Sequence, residues 1–173
     1  MSELIEKKTE IEKPSILYHA SPNKGVTEFE PRAETARDPS EGPVVFATPD
    51  KAFASCFIVP TDDRWTDISV FENGICTMVV GDKKRFEEAD KGGSIYSLSS
   101  DTFNTDLGQS MQQREWVSKE PVRPIDKSDY KTGLQAMIEN GVKVYFVDAE
   151  TLERIKKADD HGLEIIKTLT PEK

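Results

Sequence analysis

Histidine, cysteine and tryptophan are scarce in this sequence, with two of each among 173 residues. Two imidazoles exclude any chemistry that needs several of them, and no His/Cys cluster has the spacing of a zinc site. Cys56 and Cys76 each sit in an apolar run, Ala-Ser-Cys-Phe-Ile and Gly-Ile-Cys-Thr-Met. They are expected to be buried free thiols in a reducing compartment, not a disulfide or a metal pair. No apolar run approaches the about 20 residues that cross a bilayer. Residues 1–13 mix Glu and Lys and lack the hydrophobic region of a signal peptide, so a cytoplasmic location is expected. Also missing are a Gly-x-Gly-x-x-Gly after a strand, a P-loop and a Gly-x-Ser-x-Gly elbow. Positive charge is in deficit: 23 Lys and Arg against 32 Asp and Glu leave a net charge of −9. Such a field repels phosphate backbones and anionic lipid, which argues against a nucleic-acid or membrane partner.

What is present describes one globular domain. Hydrophobic residues make up 36% and charged residues 32%, with the apolar residues gathered into short runs. Residues 1–13 are expected to be a flexible charged tail, and residues 14–173 a single domain. Strands are expected at 15–20, 44–47, 75–80, 94–98, 115–118 and 142–147, with a short one at 26–29 and an edge strand at 122–125, broken by Pro121 and Pro124. Helices are expected after Thr48, read as an N-cap with Pro49 in the first helical position, after Asp82, over 128–140, and after Asp148. Residues 30–43, 59–73 and 99–113 read as loops, the last long enough to be functional.

Few residues offer chemistry. His19 ends the first strand, beside Tyr18 and ahead of the turn at residues 21–25; it is either a structural imidazole or a ligand at a strand end. Glu115 lies on a late strand next to Arg114, as a catalytic carboxylate or as a solvated one on a sheet edge. Trp65, in a polar loop, is a candidate for ligand or partner contact. Trp116 reads as core. Asp159-Asp160-His161 reads as a helix C-terminus, where a histidine favours the dipole, and not as a metal cluster.

Three segments in order carry a resemblance: Leu17-Tyr18-His19-Ala20-Ser21-Pro22, Val45-Phe46-Ala47-Thr48-Pro49-Asp50-Lys51-Ala52 and Ser118-Lys119-Glu120-Pro121-Val122-Arg123. Over residues 15–125 the chain resembles the ADP-ribosyltransferase superfamily, nearest to the small rifampin-type enzymes and more distantly to the RNA 2′-phosphotransferases. The resemblance implies an α+β fold with a split, strongly bent antiparallel sheet and NAD⁺ in its cleft. It implies that His19 binds the ribose, that Glu115 is the catalytic acid, and that Tyr18, Phe46 and Thr48 lie in the motifs that line the cofactor. The sequence departs from the family in two places. Phe46 stands on the strand where the stacking tyrosine belongs, and Ala20 follows the histidine where the family has glycine. Arg32, Arg37 and Arg123 are the only candidates for the basic residues a phosphotransferase needs. Three functions therefore stay open: ADP-ribosyl transfer or NAD⁺ hydrolysis through His19 and Glu115, a non-catalytic nucleotide- or protein-binding module on the same scaffold, and an RNA 2′-phosphotransferase-like enzyme. The acceptor and the oligomeric state are not readable from the sequence.

Overall fold

The computed structural model describes residues 12–33, 42–105 and 114–173. Residues 1–11 of the expected tail, Arg37 and residues 106–113 of the polar stretch lie outside these residues. The fold is α+β, built on three small sheets.

The first sheet sets β1 (Ile16–Ser21) and β8 (Asp126–Tyr130) on either side of β5 (Gly93–Ser99), all antiparallel. The second sets β2 (Val45–Ala47) and β6 (Phe103–Asn104) on either side of β7 (Trp116–Ser118), again antiparallel. These two sheets share a core: Leu17, Tyr96 and Leu98 of the first pack with Val45, Ala47, Phe103 and Trp116 of the second. Just past the end of β2, Tyr18 and Thr48 exchange backbone hydrogen bonds of 2.7 and 3.0 Å, which brings the two sheets together. The expected split, strongly bent antiparallel sheet is thus replaced by separate short sheets, none of them strongly curled. Strands of two or three residues in the second sheet are too short to curl around a core on their own.

The third sheet is mixed. β4 (Cys76–Val80) pairs antiparallel with β3 (Thr66–Val70) and parallel with β9 (Lys143–Phe146). All five residues of β4 are buried because both faces are covered. Cys76, Met78 and Val80 face α1 (Lys51–Ser55), α2 (Lys83–Ala89) and α3 (Gly133–Glu139), while Val79 faces α4 (Ala149–Lys157) and α5 (Leu163–Ile166). The two thiols meet here, free and buried, with Sγ atoms 3.7 Å apart. The contact with the Cys76 thiol and burial push Cys56 well above the usual cysteine range, so it stays protonated and weakly nucleophilic.

Several boundaries differ from the sequence expectation. Asp50, not Thr48, caps α1, accepting the Phe53 amide, while Pro49 stays outside the helix. Thr48 is committed elsewhere: its backbone bridges to Tyr18, and its hydroxyl oxygen accepts the Asp50 amide. Residues 66–70, expected as loop, form β3, because Ile68 and Val70 alternate toward the core between polar residues. The segment expected to open a helix at Ser128 is instead β8, and α3 starts after Thr132. The expected strands at 26–29 and 122–125 reduce to one isolated bridge, Phe29 with Val122.

Candidate functional site

Strand alternation builds the site. Along β2, Val45 and Ala47 point into the core shared by the first two sheets, so Phe46 points the other way. β7 pairs with it in the register Phe46–Val117 and Ala47–Trp116. Trp116 turns into that core with Ala47, and Glu115, the residue before it, lines the cleft with Phe46. α1 and the turn after it cover this face with Phe53, Ala54 and Phe57, and β1 closes it with Tyr18, His19 and Ala20. The result is a largely apolar cleft of about 310 Å³ lined by these residues together with Phe46, Ala47, Thr48 and Glu115. That is the small end of the range for ligand sites, roughly 300–1,000 Å³.

His19 and Glu115, far apart in the chain, therefore line one cleft, with Tyr18, Phe46 and Thr48. Trp65 does not join them. It is 7% exposed, packed in the core under the third sheet, with the Arg85 guanidinium 4.7 Å above its ring. Its polar flanking residues hid the fact that it directly precedes β3 and turns inward. Glu115 is buried and precedes the central strand of its sheet, unlike a solvated carboxylate on an edge. Its backbone carbonyl accepts the Thr105 hydroxyl at 2.9 Å. Arg114 beside it reaches Asp50 at 3.4 Å, tying the start of β7 to the cap of α1. Of the candidate arginines, Arg123 pairs with Glu28 at the surface, 2.8 Å away.

The cleft includes two side chains not singled out from the sequence as site residues, Phe53 and Phe57. They had the spacing of a helix face, which reads as core. Phe53 is core, but Phe57 follows the end of α1 and is 50% exposed. The two rings meet edge to face, 5.2 Å apart.

His19 is held in one tautomer. Its Nδ1 lies 2.5 Å from the Phe46 carbonyl oxygen, which can only accept, so Nδ1 carries the hydrogen. Nε2 is then a lone pair. The ring also packs on Phe29, with centroids 4.4 Å apart. Burial lowers the pKa of His19. The Phe46 carbonyl opposes that shift, and the positive charge of Arg32 adds to it. The imidazole is neutral at pH 7. In the unfolded chain it titrates at the ordinary value of about 6.5. Between that value and its lower folded value the unfolded chain binds more protons, so stability falls as the pH falls through this window and then levels off. Melting temperature followed from pH 7.5 downward is expected to drop more steeply in the wild type than in His19→Gln. Parallel curves would refute the assignment.

No protein-family model, curated protein or solved structure matches this chain.

Proposed function

We propose that the domain is an ADP-ribosyltransferase-like enzyme that binds NAD⁺ in this cleft and transfers or hydrolyses its ADP-ribosyl group. The observation that carries the proposal is the convergence on one apolar cleft of His19, from the first motif, and Glu115, assigned by its order and strand context. The meeting of two antiparallel sheets at the Tyr18–Thr48 bridge, with the cleft beside it, is in keeping with a split-sheet scaffold.

The residues suit the chemistry. Breaking the bond between nicotinamide and ribose releases nicotinamide and builds positive charge on the ribose, which water or another acceptor then attacks, losing a proton to solvent. The lone pair on His19 Nε2 accepts a ribose hydroxyl and fixes the sugar. The carboxylate of Glu115 stands where an apolar surround strengthens its attraction for the developing charge. The apolar walls exclude competing water. Phe46 offers a stacking face but no hydrogen-bond donor. A cleft of about 310 Å³ takes the nicotinamide–ribose end of the dinucleotide, leaving the rest to run along the surface. Among the described residues, no Lys or Arg is in the lining of this cleft. That lends nothing to the RNA 2′-phosphotransferase reading, which would need cations on phosphate. The non-catalytic module is the second reading, favoured by Phe46 in place of the tyrosine.

Isothermal titration with NAD⁺ and an assay of nicotinamide release test this. The wild type is expected to bind and to release nicotinamide. His19→Ala should weaken binding by about 1 kcal/mol, the scale of one neutral hydrogen bond. Binding without release would favour the non-catalytic module, and neither at millimolar NAD⁺ would end the proposal.

A further inference from the structure

Backbone hydrogen bonds run out at the edges of sheets, and native proteins cover such edges, charge them or keep them short. Most edges in this fold are closed in one of these ways. Thr48 bridges to Tyr18 on the open side of β1, and Arg32 bridges to Val44 beside β2. β6 has two residues, and β8 carries Asp126, Lys127 and Asp129. The Glu172 amide covers β9 by donating to the Val144 carbonyl. β3 is different. The Gly81 amide donates to the Trp65 carbonyl and the Phe71 amide to the Ile75 carbonyl, so the odd-numbered residues turn their backbone groups toward β4. Those of Thr66, Ile68 and Val70 turn outward. The Thr66 amide is taken by the Asp62 carbonyl at 3.2 Å. Among the described residues, nothing pairs with the Thr66 carbonyl or with either backbone group of Ile68 and Val70. The strand from Asp67 to Val70 is partly exposed.

We propose that β3 is the contact through which two copies of this chain form a symmetric dimer, pairing antiparallel about Ile68 into one continuous sheet. Around a two-fold axis there, Ile68 exchanges both bonds with its own copy, and each Val70 amide meets the Thr66 carbonyl of the other chain. The register is self-complementary in charge. Asp67 falls opposite Ser69 and not opposite a second Asp67. Just beyond the strand ends, Arg64 of each copy falls opposite Glu72 of the other. The Arg64 side chain is 81% exposed and gives Nε and Nη2 to Asp62, at 3.4 and 3.2 Å, which leaves Nη1 for a second carboxylate. Glu72 is exposed and has no ion pair among the described residues. There is also room for the added strand. A groove of about 470 Å³ opens beside Thr66, Asp67 and Ile68, with Phe57, Val59 and Pro60 also in its lining. The antiparallel register brings the partly exposed Val70 of the other copy to this end, against that apolar wall. A strand of five residues buries little area, so the dimer is weak and reversible. It does not depend on what binds in the cleft.

Sedimentation of the full chain, from micromolar to millimolar protein, is expected to show a monomer–dimer equilibrium. Arg64→Glu and Glu72→Arg each set like charges across the axis and should weaken the dimer about tenfold, the scale of losing two exposed ion pairs. An equimolar mixture of the two variants should recover the wild-type affinity, because opposite charges again meet at both ends of the mixed dimer. Amide exchange by NMR reads the backbone without any substitution. The Ile68 and Val70 amides should exchange at least about tenfold more slowly in concentrated than in dilute protein, while those of Asp67 and Ser69, bonded to β4, should not change. Protein that stays monomeric at millimolar concentration, a mixture that associates no better than either variant alone, or a dimer that leaves the Ile68 and Val70 amides exchanging as in the monomer would each overturn the proposal.

Discussion

Glu115→Gln is expected to slow nicotinamide release by about 100- to 1,000-fold, the range seen when one preorganised electrostatic stabiliser is removed. NAD⁺ affinity should change by less than about twofold. The contrast follows from when the charge appears. The ribose acquires its positive charge only as the bond breaks, so a carboxylate there acts mainly in the transition state, and its loss falls on turnover and not on ground-state binding. The amide keeps the volume of the side chain, and the Glu115 backbone is held by the Thr105 hydroxyl and the start of β7, so the cleft should keep its shape. Single-turnover kinetics at saturating NAD⁺, with binding followed separately, check the result. A variant that loses affinity in step with rate would show that Glu115 holds the ligand instead.

Trp116→Ala is expected to cost about 3–5 kcal/mol of folding stability, the usual range for truncating a large aromatic in a packed core. Trp116 is 4% exposed and lies between Leu17, Val45, Ala47, Tyr96 and Phe103, where the first two sheets share their apolar side chains. At roughly 2–4 °C per kcal/mol for a chain of this size, the melting temperature should fall by about 6–20 °C. The same change should also disturb the cleft, because Trp116 and Glu115 are consecutive and point to opposite sides of one strand. Urea unfolding of the variant measures the loss. A shift below about 1 kcal/mol would mean that the two sheets do not depend on this core.

The legible parts of the fold were those where side-chain pattern and local chemistry agree. Cys76–Val80 is apolar but for Thr77 and was readable as a buried strand, and Asp82 and Asp148 announced the helices they cap. Asp126–Tyr130 was hidden because an edge strand facing water carries Asp, Lys and Ser, and its partner β5 lies far back in the chain. Thr66–Val70 was hidden for a related reason: only alternate residues are apolar. In the candidate cleft, His19, Phe46 and Thr48 stood in short motifs and Glu115 was picked out by its order and strand context, and all four line it. Phe57 was not, because helix spacing groups it with Phe53, and only the end of α1 at Ser55 separates a core ring from an exposed one. Trp65 misled for the opposite reason, since the polarity of its neighbours says nothing about which way its own ring turns.

The hydrogen bond from His19 to the Phe46 carbonyl has a consequence for the proton inventory of the reaction. An imidazole whose only hydrogen is pledged to a backbone oxygen, and whose second nitrogen resists protonation, has no proton to hand to a departing group at neutral pH. It can grip a hydroxyl, but it is a poor acid. That suits a leaving group that departs already neutral, as nicotinamide does from a pyridinium, and it would fail one that leaves as an alkoxide or an amide anion. The tie between β1 and β2 thus restricts the cleft to reactions whose departing half needs no proton from His19.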